Sequence, residues 1–478
     1  MSQQPLKTLP DLDQVDTSNV QGDIYPGFPK RNEDFLFFVI RDQAKFKQAL
    51  KNPDFKPTTT ADVFVLRQEI KDAKSRQAVG LVPMALMNIA FSRNGLNALG
   101  IAESLNQTDS DDPFEQGQLD NAERLGDPGQ IGPGGFDPHW DQEFKSRIDG
   151  VFLVAGESIE SVNGKVAKIQ AIFGDSIGEV LRFSGAVRSG ANKGHEHFGW
   201  FDGISQPSLK NVPGAPPPQP GPEQISPGII ICGHDGDPVS TTARPEWARE
   251  GSYLAFRKLK QLVPEFHQFL VENPVPEVLD CKHGSELQGA RFFGRWPTGT
   301  PIQLAPSNDN PEIGKNPLLN NKFDYPGDMG DAGQTACPYS AHIRKTNPRS
   351  DLPLFKVARA RLVRAGIPYG PELDENEKTK HTTEKDRGLA FVCYQSYLND
   401  GFQFVQRLWA NDATFVQGRD VKPGFDPIVG QNLGQPRGTM GTSKGFQAEL
   451  PQDFVVSRGG EYFFSPSIQA LKTRFVDT

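Results

Sequence analysis

Gly199-Trp200-Phe201-Asp202-Gly203, continued as Ile204-Ser205-Gln206-Pro207, sets a carboxylate between two glycines. Glycine lets a backbone bend tightly and approach another body closely. The aromatic pair Trp200-Phe201 can shield the Asp202 carboxylate from water, and desolvation raises a carboxyl pKa. A shielded carboxylate suits proton transfer. Taken alone, a G-x-x-D-G pentapeptide is more often a turn than a site.

Two further segments change that balance. One is Cys337-Pro338-Tyr339-Ser340-Ala341-His342-Ile343-Arg344-Lys345-Thr346-Asn347-Pro348-Arg349; the other is Arg361-Leu362-Val363-Arg364-Ala365-Gly366-Ile367-Pro368-Tyr369-Gly370. Together the three segments resemble the dye-decolourising peroxidases, a family of haem peroxidases, and most closely its long fungal members. The likeness runs from Asn19-Val20-Gln21-Gly22-Asp23-Ile24 to Ser457-Arg458-Gly459-Gly460-Glu461-Tyr462-Phe463-Phe464, nearly the whole chain.

At 478 residues the chain is long enough for two domains or one large one. Only 36% of it is hydrophobic, yet 33 phenylalanines make a substantial core feasible. The 48 glycines and 40 prolines imply long ordered loops. A net charge of −8 with no basic block argues against a nucleic-acid partner. No apolar run approaches the roughly 18 residues of a membrane span. Cys232, Cys281, Cys337 and Cys393 form no C-x-x-C pair, so zinc ribbons and thioredoxin-type motifs are unsupported. The stretch Met1-Ser2-Gln3-Gln4-Pro5-Leu6-Lys7 lacks the apolar core of a secretory signal. The chain is therefore cytoplasmic, exported by another route, or preceded by a leader. The family resemblance implies an extracellular, secreted protein.

The residue pattern alternates strands and helices. Strands are expected at 34–40, 82–91, 150–155 and 177–188, with helices at 43–50, 93–99 and 159–173. The rhythm repeats with strands at 228–232, 252–257, 388–395 and 462–464, and helices at 259–272 and 400–410. This suggests an α+β fold with a duplicated unit and antiparallel sheets flanked by helices; the resemblance implies two ferredoxin-like halves with haem held mainly by the C-terminal one. The run Val212-Pro213-Gly214-Ala215-Pro216-Pro217-Pro218-Gln219-Pro220-Gly221-Pro222 favours polyproline II and marks the boundary between halves 1–215 and 216–478. Segments 104–135 and 304–333 read as polar surface excursions.

The resemblance implies a role for each candidate residue. His342 is the axial ligand to the iron of one haem b per chain. Arg344 and Arg349 would pair with the haem propionates, as guanidinium matches carboxylate geometry. Asp426, in Gly424-Phe425-Asp426-Pro427, would hold the far nitrogen of the His342 imidazole; an Asx turn before proline is its other reading. Asp202 would move the peroxide proton, and Arg364 would stabilise charge on the departing oxygen. Leu389 and Phe391 share one strand face and would narrow the peroxide channel, or simply pack. Trp409 and Tyr369 match surface residues that pass electrons from bulky dyes; Trp409 equally suits a helix anchor.

Three rivals stand beside this reading. His195-Glu196-His197 has metal-ligand spacing for a non-haem centre with His342 as a third ligand. A haem carrier or haem-processing protein on the same fold would not need the Asp202–Arg364 pair. A plant-type peroxidase would use a distal histidine near Asp202, with a group titrating near neutral pH. The expected activity is reduction of hydrogen peroxide and one-electron oxidation of dyes, phenols and other aromatic donors through a ferryl Compound I intermediate, with an acidic optimum. The physiological donor, manganese oxidation and oligomeric state are not legible.

Overall fold

A computed structural model describes residues 14–221, 224–240, 242–276, 278–326, 333–442 and 444–477. The N-terminal heptapeptide, Pro222 and part of the 304–333 excursion lie outside the described residues. Among the described residues, nine strands form one antiparallel sheet. The first half contributes β1 (Asn32–Ile40), β2 (Ala85–Phe91), β3 (Gly150–Gly156) and β4 (Ile177–Ala186). The second contributes β5 (Ser252–Gln261), β6 (Val363–Arg364), β7 (Ile367–Tyr369), β8 (Gly388–Gln395) and β9 (Val455–Ser465). Their order is β6-β8-β5-β9-β2-β3-β1-β4, with β7 also on β8.

With β6 and β7, which both pair with β8, counted as one interrupted strand, each set runs fourth-first-third-second. That is the ferredoxin-like order, and it appears twice. Strands β9 and β2 join the sets at Phe464 and Phe91. The outer strands β4 and β7 meet at Gly185, where a Cβ would lie 2.4 Å from Ile367 Cγ2 and 3.0 Å from the Pro368 carbonyl oxygen. The sheet thereby curls into a barrel.

Alternation along each strand divides the apolar residues between two cores. Phe35 and Phe37 of β1, Leu254 and Phe256 of β5, and Ala390, Val392 and Tyr394 of β8 share the inner core. The Phe35–Phe256 and Phe37–Phe256 ring centroids are each 5.0 Å apart. Leu36 and Phe38 face outward and pack under α1 (Gln43–Leu50) and α2 (Ile159–Phe173). Asp42 and Ser158 cap these helices by accepting the Lys45 and Ser161 amides. Val162, Val166, Ile169 and Phe173 form the buried stripe of α2, at helical spacing.

Three expected elements differ. Residues 228–232 form no strand; Pro227–Ile229 is a 3-10 turn, with the Ile231 amide bonded to the Pro227 carbonyl. Ile230 and Ile231 are buried by packing, and a short apolar run cannot distinguish that from strand pairing. The 400–410 helix is a single α-turn, Phe402–Phe404, running into a π-helical turn over Val405–Ala410. Expected helix 259–272 begins at Val263, because β5 continues to Gln261. The Gly185 contact makes the barrel seam testable: Gly185→Val should overpack it and cost about 1–3 kcal/mol, read as a lower urea midpoint with an unchanged slope.

Candidate active site

The outward face of the second half carries the site. Arg257, Leu259 and Gln261 of β5, and Leu389 and Phe391 of β8, alternate with the inner-core residues and line a cavity of about 270 Å³. Among the described residues, every side chain lining it is numbered 196 or higher. The first half's strands therefore build the barrel but not the cavity.

Asp202 reaches the cavity on a tight loop. The Glu196 amide donates to the Trp200 carbonyl, and the Asp202 amide to the Gly194 carbonyl, at 3.0 Å each. Gly199 and Gly203 have φ of 102° and 79°, which glycine adopts without strain. Asp202 Oδ1 accepts from Arg364 Nη1 at 3.0 Å and from the Gly203 amide at 2.6 Å. Arg364 Nη2 donates to the Ser205 carbonyl at 3.1 Å. Gln206 clamps the Arg364 backbone, donating to its carbonyl at 2.6 Å and accepting its amide at 3.0 Å.

The shielding expected of Trp200-Phe201 is not what sets the Asp202 charge. Trp200 lines the cavity wall, stacked on Phe293 at 4.2 Å and 11°, with its indole N–H on the Arg295 carbonyl. Phe201 is 40% exposed. The Asp202 side chain lines the cavity and is 42% exposed. Burial pushes its carboxyl up, but the Arg364 guanidinium, the Gly203 amide and His342 outweigh that and hold it below the usual carboxylate range.

His342 opens α3 (His342–Thr346) and lines the same cavity. Its Nδ1 lies 2.9 Å from Asp426 Oδ2. Asp426 is fully buried, and its other oxygen accepts the Ile428 and Val429 amides at 2.8 and 3.0 Å. One carboxylate thus makes the turn and meets the imidazole. Arg349 lines the cavity, flat over Phe323 at 3.8 Å and anchored to Asn321 Oδ1.

Arg344 does not reach the cavity. It is fully buried between the Tyr325 and Tyr339 rings and pairs through two nitrogens with Asp351, at 2.6 and 2.8 Å. Its guanidinium is spent on the protein itself, which corrects the expected propionate contact. Trp409 and Tyr369 are not surface side chains, being 3% and 4% exposed. Trp409 stacks on Phe415, and the Tyr369 hydroxyl donates to Asp386 Oδ1. The His195-x-His197 pair does not converge: His195 Nδ1 meets the Lys193 carbonyl, and buried His197 Nε2 meets the Tyr369 carbonyl. Burial pushes the His197 imidazole down to about 4, and neither ring lines the cavity. Among the described residues no cluster of three His, Cys, Asp or Glu could hold a metal ion. The non-haem metal and distal-histidine readings therefore lose their residues.

Sequence reasoning passed over three cavity residues: Gln206, Glu196 and Arg257. Gln206 was visible in Ile204-Ser205-Gln206-Pro207, and Glu196 between the two histidines. Arg257, 2% exposed with Nη1 unpartnered and Nη2 on Asp127, had no local signal.

Residues 19–189 match the DyP dimeric alpha+beta barrel domain, and residues 234–415 match the Dyp-type peroxidase C-terminal domain. A dye-decolorizing peroxidase of Mycena epipterygia is 41% identical, covering 96% of this chain and 87% of its own. An ancestral D-type dye-decolorizing peroxidase structure superposes with a TM-score of 0.87 at 48% identity, covering 97% of this chain and 99% of that one. A dye-decolorizing peroxidase solved with 2,6-dimethoxyphenol gives a TM-score of 0.84 at 39% identity, covering 97% and 100% of the two chains. With both halves of the barrel matched and relatives aligned along nearly its full length, the chain belongs to the dye-decolourising peroxidase family and is a peroxidase.

Proposed function

We propose that the cavity binds haem b between His342 and the Asp202–Arg364 pair, and that the enzyme reduces hydrogen peroxide while oxidising phenols, dyes and similar aromatic donors. The observation that carries this reading is that His342, backed by buried Asp426, and the Asp202–Arg364 pair line one cavity. The walls fit a porphyrin: Leu259, Leu389, Phe391, Phe293, Ile428 and Val405 offer apolar contact, and Arg349 offers a cation for a propionate. Arg257, whose Nη1 has no hydrogen-bond partner, is also a residue of this cavity's lining.

When bound, haem supplies iron that accepts peroxide and the redox capacity to oxidise donors one electron at a time. The chain's own residues do the rest. Asp426 takes the Nδ1 hydrogen bond of His342, which fixes the tautomer, leaves Nε2 as the donor atom and adds anionic character. Asp202 removes the proton from the near oxygen of peroxide and returns it to the departing oxygen, so that water leaves. Arg364 stabilises the negative charge that develops on that oxygen and keeps Asp202 ionised. Leu389 and Phe391 limit what fits beside peroxide. Trp409 and Tyr369 serve, in this reading, as buried relays for donors too large to enter. Asp386 stands ready to take the Tyr369 proton. Among the described residues no helix is long and apolar enough to cross a membrane.

Asp202→Asn should slow the reaction with peroxide by about 10²–10⁴-fold while leaving the Soret band of the loaded protein in place. Stopped-flow mixing measures this, and an unchanged rate would remove Asp202 from the mechanism. Because Asp202 must be ionised and Arg364 holds its carboxyl low, activity should persist into acid and fall only below the ordinary aspartate range, near pH ~4. Arg364→Leu should move that acid limb to higher pH. Arg344→Leu should act on stability alone, costing about 3 kcal/mol by leaving buried Asp351 with only the longer Arg419 contact, whereas Arg349→Leu should speed haem loss to an apoprotein acceptor.

A further inference from the structure

We infer that Glu196 is the positioning residue for Asp202: a buried carboxyl side chain inside the loop that fixes where the proton-carrying carboxylate stands. The inference rests on the role given to Asp202 above. Glu196 is 9% exposed and lines the cavity. Its Oε1 accepts the Trp200 amide and its Oε2 the Phe198 amide, at 2.8 Å each. Gln261 Nε2 donates to the same Oε2. One side chain therefore satisfies two amides of the 198–200 turn and ties the turn to β5, the floor of the cavity. Asp202 follows two residues later.

Burial pushes the Glu196 carboxyl up to about 7, while the Gln261, Trp200 and Phe198 donors pull it down. A carboxyl group presents an oxygen at each position, and Glu196 uses both as acceptors, Oε1 for Trp200 and Oε2 for Phe198 and Gln261. A carboxamide offers one oxygen, and its amino group would face an N–H. The flanking histidines point elsewhere, so in His195-Glu196-His197 the middle residue is the one tied to the site.

The geometry separates Glu196 from a merely structural acid. Asp202 is faced by Arg364, His342 and Glu196, with Arg295, Arg349 and Arg361 on the same cavity wall. The 3.0 Å bond from Arg364 sets its ionisation, and that bond depends on the loop's position. Displacement of a reacting group by about 1 Å can cost 10²-fold.

The test uses haem-loaded Glu196→Gln. Its kcat/KM for peroxide should fall about 10- to 100-fold, with the acid limb moved to higher pH. The Soret band and the KM for a small phenolic donor should be unchanged. In its crystal structure the Arg364–Asp202 bond should be lost. A folded variant that keeps this bond, the acid limb and the peroxide kcat/KM of the parent overturns the inference. A lost bond with peroxide reactivity intact, matched by an unaffected Asp202→Asn, upholds the positioning and overturns the proton role instead. Should Glu196→Gln not fold, Gln261→Met removes one of the three donors and is read the same way. It should show a loss of about 3- to 10-fold in peroxide kcat/KM with the same shift of the acid limb, and no change in either overturns the inference.

Discussion

A β-strand shows successive side chains to opposite faces, and here that constraint is used twice on the same residues. Along β8, Ala390, Val392 and Tyr394 fill the barrel while Leu389 and Phe391 wall the cavity. Along β5, Leu254 and Phe256 point inward while Arg257, Leu259 and Gln261 point outward. A one-residue slip of either strand would exchange core for cavity wall, so the packing of the barrel sets the register of the site. The phenylalanines clustered on Phe256 hold that register from inside.

On this frame the charged groups are placed in opposing pairs. Asp426 is fully buried and is satisfied by His342 and two amides. Asp202 is held by Arg364, itself held through its backbone by Gln206 and through Nη2 by Ser205. Buried charge is costly unless paired or hydrogen-bonded, which is why fully buried Asp426 has all three of its donors, whereas the half-exposed Asp202–Arg364 pair is fixed by its backbone clamps. Arg344 and Asp351 obey the same rule without touching the cavity, which is why a guanidinium near His342 in sequence need not act on a ligand.

Much of the fold was legible because its signals are local. The run Asp34-Phe35-Leu36-Phe37-Phe38-Val39-Ile40 is apolar over the length of a strand, and Gly388–Gln395 has the same character. The α2 stripe repeats at helical spacing. Residues 228–232 misled because burial, not pairing, made them apolar. At the site, Asp202, Arg364, His342 and Asp426 were marked by the company they keep in sequence; the structure brings the first three to one cavity and sets Asp426 behind His342. Trp409 and Tyr369 were expected at the surface, but exposure depends on what packs above a residue, and Phe415 and Phe183 cover them.

By itself the sequence determined which residues could bend, cap, pair or carry a proton, because those properties belong to single side chains and their immediate neighbours. It also carried the duplicated strand-helix rhythm from which two like halves follow. Only the tertiary structure decided which guanidinium meets which carboxylate. Arg344 goes to Asp351 seven residues on, whereas Arg364 goes to Asp202 across 162 positions. Such partners are chosen by the register of a closed barrel, and that register is a sum over many distant contacts that no local stretch records.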